Sequence, residues 1–190
     1  PGSTFVEEQA ELERVLPVLE LIKDLPTLIS IDTYKAKVAA EACKAGAHIV
    51  NDVWGLQKDP EMACAVADAG VPVIMMHNRT EVDETLDIFA DMDRYFEKSM
   101  KLASDAGIPE ELQILDPGFG FGKTLQQNYQ ILNRLSELGK YGRPILAGAS
   151  RKRMVGYILN NEASERMAGS LAVHTLALQN GAQILRVHDV

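Results

Sequence analysis

The stretch QILDPGFGFGK, residues 113–123, decides how the rest of the chain is read. A short apolar run, Ile114-Leu115, ends on a carboxylate, Asp116. Pro117 has no backbone N–H, so a strand cannot continue through it. Glycines at 118, 120 and 122 supply the freedom for a tight, exposed loop carrying Phe119 and Phe121. Lys123-Thr124 leads into an amphipathic helix. The segment reads as a strand that delivers an acid to a rim, where an aromatic loop folds over a ligand. A phosphate-binding P-loop is excluded, because the glycine it needs falls on Pro117. The dinucleotide fingerprint is excluded as well, because its third glycine falls on Lys123. A plain turn would also use Asp116-Pro117-Gly118. Against that stands the recurrence of the same design along the chain.

Apolar spacing predicts helices over 5–23, 35–45, 60–69, 88–106, 125–138 and 165–180, with a short one at 154–159. Pro17 interrupts the first. Short apolar strands are expected at 27–31, 48–50, 71–76, 114–115, 144–147 and 182–187. Strict alternation of strand and helix means parallel strands joined by crossovers. With no shift in composition and no linker, residues 1–190 read as one domain. Polar residues gather at the strands' C-terminal ends: Asp32, Asn51, His77, Asp116, Ser150 with Lys152, and Arg186 with His188. An open doubly wound sheet builds its site near one switch point. Polar chemistry on all six strand ends favours a (β/α)8 TIM barrel. Such a barrel takes about 250 residues and eight strands, so two strands are expected upstream of Pro1.

The 190 residues carry a net charge of −8, which argues against a nucleic-acid surface. A small anionic ligand stays possible, because a local cluster of Arg and Lys can oppose the global sign. The two cysteines, Cys43 and Cys64, sit among alanines and read as buried thiols, not a disulfide. No apolar run is long enough to cross a bilayer and no signal peptide is seen, so a cytoplasmic protein is expected. The chain opens on Pro1-Gly2-Ser3 without a methionine, so its true start is expected further upstream.

Asp32, Asn51, Asp116 and Lys152 together suit a flat heterocycle with an amidine-like edge. That edge presents N–H donors, and carboxylates only accept. Lys152 offsets the carboxylates and can donate to a ring carbonyl or nitrogen. A helix N-cap at Asp32-Thr33 and a turn at Asn51-Asp52 are the plain alternatives. Arg186 and His188, two apart on the last strand, point the same way. Arg suits a phosphate; His can donate to a second anionic oxygen or protonate a leaving group. A surface Arg and a capping His are the alternative. Ser150-Arg151-Lys152-Arg153 precedes a short helix whose N–H groups, with the basic cluster, could seat a carboxylate; a solvated basic turn would look the same. His48 and His174 read as packing residues. No cluster has metal-cage spacing.

As a set, Ile31-Asp32-Thr33, Val50-Asn51-Asp52, Met76-His77-Asn78, the DPGFGFGK run, Ser150-Arg151-Lys152 and the terminal RVHDV resemble the motifs of the dihydropteroate synthase family, in that family's order. Pro1-Gly2-Ser3 resembles the end of its second mobile loop. The resemblance implies a barrel that joins 6-hydroxymethyl-7,8-dihydropterin diphosphate to 4-aminobenzoate, giving 7,8-dihydropteroate and diphosphate. It implies that Asp32, Asn51, Met76, Asp116, Gly148 and Lys152 hold the pterin. Phe121, Lys152 and Arg153 would meet the aminobenzoate, and Arg186 and His188 the diphosphate. Lys152, Arg186 and His188 would carry the catalysis. Mg²⁺ would assist, its protein ligand lying on a loop expected before Pro1. A homodimer and competition by sulfonamides are also implied. A pterin-dependent methyltransferase with a corrinoid partner is the nearest alternative, and a non-catalytic pterin-binding fragment the next.

Overall fold

A computed structural model describes residues 5–190. Expectations resting on Pro1-Gly2-Ser3 therefore lie outside the described residues. The chain divides into two compact units. One runs to Met76 and includes Phe96–Ile114; the other holds His77–Tyr95 and Leu115–Val190.

The first unit begins with α1 (Glu8–Ile22), which buries Leu12 and Leu19 and contains Pro17. Three strands follow, β1 (Ser30–Asp32), β2 (Ile49–Asp52) and β3 (Val73–Met76), joined through α2 (Ala36–Lys44) and α3 (Met62–Ala69). They pair in parallel: Asp32 lies beside Asn51 and Asp52 beside Met75. Parallel pairing requires a crossover, which each helix supplies. Val38, Ala42, Val50, Val66, Val73 and Met75 are buried. Gly70 ends α3 in the left-handed conformation, its N–H bonded to Val66 O at 3.0 Å. α4 (Ile88–Asp105) starts in the second unit and ends in the first. The expected buried thiols are corrected here. Cys43 is half-buried and Cys64 exposed, and both line a groove of about 840 Å³ along α2 and α3.

The second unit takes the end of β4 (Gln113–Asp116), then α5 (Leu125–Asn133), β5 (Leu146–Ala147), α6 (Arg153–Leu159), α7 (Met167–Gln179) and β6 (Ile184–Leu185). β5 and β6 pair in parallel, and Leu115 bridges to Ile145 in the same sense. α5 opens on a capping box, in which the Thr124 hydroxyl accepts from Gln127 N and the Gln127 side chain accepts from Thr124 N. The helix expected over 125–138 stops at Asn133, and a 3₁₀ turn, Leu135–Tyr141, follows. Leu135 and Leu138 are both fully buried, and their spacing of three suits the tighter turn. The helix expected from 165 begins at Met167, after a 3₁₀ turn at Ala163–Glu165.

Candidate active site

In the first unit the parallel register sets Asp32 and Asn51 side by side at the ends of β1 and β2. Asp32 is exposed and Asn51 half-buried, so both polar side chains can be reached. The N-cap alternative for Asp32-Thr33 does not hold. The cap of α2 is Lys35, with no side-chain bond. Thr33 instead accepts from Lys35 N at 3.2 Å and donates to Glu11 at 2.6 Å. Glu11 also pairs with the Lys35 ammonium, so one carboxylate of α1 braces the turn after β1. The turn alternative holds for Asp52. Its oxygens accept from Trp54 N at 2.8 Å and Leu56 N at 2.7 Å. Burial pushes its carboxyl up to about 6, against the pull of those two N–H groups. Met76, ending β3, is buried.

In the second unit Asp116 is buried at the end of β4. Its Oδ1 accepts from Gly118 N at 2.7 Å, so the turn reading and the site reading share one carboxylate. Burial raises its pKa, while the charges of Lys152, Lys123 and Arg186 oppose the rise. The same electrostatics act on Lys152, which burial lowers to about 8 and the charge on Asp116 raises. The Lys152 ammonium bonds to Phe119 O and sits 4.6 Å from the centre of the Phe121 ring. A Cβ on Gly148 would lie 3.7 Å from Arg186 Cβ, so this glycine sits against the arginine stem. The second unit thus brings Asp116, Phe121, Gly148, Lys152 and Arg186 together, with Arg153 exposed at the start of α6.

Three expectations are corrected. Phe119 is not carried on an exposed loop; it is fully buried, and only Phe121 remains half-exposed. Arg186 and His188 do not share a strand face, because β6 ends at Leu185. Arg186 N still bonds to Ala147 O at 3.1 Å, and then His188 N turns to Ser150 Oγ at 3.2 Å. Arg151, read as part of an anion-binding cluster, is instead paired with Asp189 through both Nε and a terminal nitrogen.

Sequence reasoning missed Lys123, which donates to the carbonyls of His77, Gly118 and Phe121. It also missed the Asp91 carboxylate, which bonds Arg79 at 2.7 Å and His77 at 3.2 Å. Burial holds the His77 ring well below its usual range, so it stays neutral. The only advance signal was the number of polar residues following β3.

The α/β order and the polar strand ends define an α/β enzyme with its site at the strands' C-terminal ends. A family profile described as "Pterin binding enzyme" matches residues 1–188. The dihydropteroate synthase of Bacillus subtilis (strain 168) is 46% identical over 191 residues, covering 100% of this chain and 67% of that protein. The Escherichia coli (strain K12) dihydropteroate synthase is 44% identical over 197 residues, covering 100% and 70%. The crystal structure of a Clostridium difficile dihydropteroate synthase in the presence of pteroic acid superposes with a TM-score of 0.97 at 44% identity, covering 100% of this chain and 73% of that one. The Xanthomonas albilineans enzyme with 4-aminobenzoic acid gives 0.95 at 43%, covering 100% and 70%. This chain belongs to the dihydropteroate synthase family. Its fold class is their α/β TIM barrel, to which the described residues contribute six strands, and its reaction class is transfer of the dihydropterin-methyl group.

Proposed function

We propose that these residues form the pterin diphosphate and aminobenzoate sites of that reaction, within one pterin-binding domain. The observation carrying this reading is Asp116: a buried carboxylate with one oxygen on Gly118 N, beside the Lys152 ammonium. Its second oxygen suits an N–H of the pterin's amidine edge. In the first unit Asp32 and Asn51 offer further acceptors and Met76 an apolar wall; in the second Lys152 offers a donor and Gly148 an apolar wall. Phe121, Lys152 and Arg153 receive the aminobenzoate ring and carboxylate. The solved Yersinia pestis enzyme with a pterine–sulfa conjugate supports neighbouring pterin and aminobenzoate pockets, and competition by sulfonamides.

The C–O bond to the pterin methylene breaks, with its electron pair leaving on the diphosphate. The neutral aryl amine forms the C–N bond and releases a proton to water. Arg186 and His188 offset the departing negative charge. Phe121 and Lys152 hold the amine in line. Among the described residues no group of three His, Cys, Asp or Glu side chains could hold a metal ion. Lysine and arginine only donate, so they fit diphosphate oxygens and not Mg²⁺, which takes oxygen ligands. Mg²⁺ would accompany the diphosphate and supply Lewis-acid chemistry to its departure. A cytoplasmic homodimer completes the proposal; the exposed Leu171, Leu176 and Leu178 of α7 favour a covered face. No helix among the described residues is long and apolar enough to cross a membrane.

Titration with the pterin diphosphate and Mg²⁺, followed by a diphosphate-release assay with 4-aminobenzoate, tests the reading. Wild type should bind and release, and Asp116→Asn should lose both by at least about 100-fold. Binding without release would favour a non-catalytic pterin site. A folded wild type that binds no pterin would refute the assignment.

A further inference from the structure

Lys123 is only 7% exposed, yet its ammonium donates to Gly118 O at 2.9 Å, Phe121 O at 3.0 Å and His77 O at 3.1 Å. A buried charge is tolerated only when its hydrogen bonds are complete. Three carbonyls match the three N–H groups of an ammonium; a neutral amine has two. Two of the acceptors bracket the loop that carries Phe119 and Phe121. The third, His77, donates its own N–H to Asp116 O at 2.8 Å. The lysine therefore ties the loop to the backbone beside the buried acid. The loop lies close against that backbone: a Cβ on Gly118 would come 2.1 Å from His77 O, and one on Gly122 2.4 Å from Arg79 Cβ. Lys152 grips the same loop elsewhere, bonding Phe119 O while its ammonium faces the Phe121 ring.

We propose that Lys123 is a positioning residue for the aminobenzoate site: by holding the carbonyls of Gly118 and Phe121 it sets the Phe121 ring against Lys152, touching no substrate itself. The inference rests on the proposed function for the roles of Phe121 and Lys152.

Lys123→Met keeps the length and removes the charge. Hydrogen exchange of the Gly118, Gly120 and Phe121 amides should quicken by at least about tenfold, with the amides of α5 unchanged. The dissociation constant of 4-aminobenzoate, measured with saturating 6-hydroxymethylpterin and diphosphate, should rise by about tenfold or more, and that of 6-hydroxymethylpterin by less than about threefold. Phe121→Leu removes the ring but keeps the tether. It should reproduce the aminobenzoate loss with normal loop exchange. Equal weakening of both ligands in Lys123→Met, with faster exchange throughout α5, would mean a general structural role and overturn the proposal. A loosened loop with unchanged aminobenzoate affinity would overturn it too. If Lys123→Met does not fold, nitrogen-15 NMR of the wild type decides. A slowly exchanging Lys123 ammonium coupled to the three carbonyl carbons supports the tether, and a rapidly exchanging one refutes it. A wild type that binds neither ligand fails the proposed function itself. Binding that Lys123→Met leaves intact fails this inference alone.

Discussion

Gly118 and Gly142 share a left-handed backbone, with φ of +67° and +64°, but not the same surroundings. Nothing lies within 4 Å of a Cβ built on Gly142, whereas one on Gly118 meets His77 O at 2.1 Å. Gly142→Ala should therefore cost only the left-handed penalty, about 1 kcal/mol. Gly118→Ala adds a clash with fixed backbone and should cost at least ~2 kcal/mol more. Urea unfolding of both variants checks this, and equal costs would mean that the close approach to His77 is not a constraint. The turn at Asp116-Pro117-Gly118 was legible because each residue type has its own local reason to turn. Phe119 was not, since a glycine-rich loop lets an aromatic face either way, and what decides is the core it meets. Lys123 was hidden for a related cause: its partners are main-chain carbonyls, which no side-chain pattern marks.

At the scale of elements, β6 has only two residues, so the chain beyond Leu185 depends on ties from the turn before α6. Arg151 supplies the main one. It holds a left-handed φ of +55°, uncommon for a residue with a side chain. Its N–H bonds Ser170 Oγ at 2.9 Å, its carbonyl accepts from Arg166 at 3.0 Å, and its guanidinium pairs with Asp189. The pairing holds the Asp189 carboxyl below its usual range. A depressed carboxyl stabilises the fold above the unfolded pKa and loses that effect as pH falls, so the tie weakens in acid. Asp189→Asn should lower the affinity for inorganic diphosphate by about tenfold and leave 6-hydroxymethylpterin unaffected. Arg151→Lys, which keeps the charge without the fork, should fall between the two. Calorimetric titration of each would read this, and an unchanged diphosphate affinity in Asp189→Asn would sink it. None of this showed in the sequence, where Arg151 stood in a run of basic residues and its partner lay 38 residues away.

At the scale of the molecule, the order of the six strands among the described residues, and their crossovers, was legible, because apolar runs of strand length alternate with helical spacing. Helix ends were less so: Leu135 and Leu138 fit a helix and a 3₁₀ turn equally well on spacing. The different surroundings of two neighbouring polar residues were hidden too. Asn51 and Asp52 look alike as strand-end polar residues, but alternation turns Asp52 fully inward. That burial has a consequence for stability. Desolvation, with smaller contributions from the charges of Asp32 and Asp59, raises the Asp52 carboxyl to about 6. A raised carboxyl binds its proton more tightly in the folded chain than in the unfolded one. Its contribution to stability therefore falls as pH rises from the unfolded value near 4 to the folded value near 6. Above that window the cost is on the order of 3 kcal/mol. Asp52→Asn cannot ionise, and its one acceptor oxygen still serves one of the Trp54 and Leu56 N–H groups. The urea midpoint of the wild type should fall relative to that of Asp52→Asn between about pH 4 and about pH 6 and run parallel to it above. Parallel curves across the whole range would show that the folded protein solvates this carboxylate as well as water does. The cost would then have to be sought at the buried Asp116, where Gly118 N meets one oxygen and ligand N–H groups are proposed to meet the other.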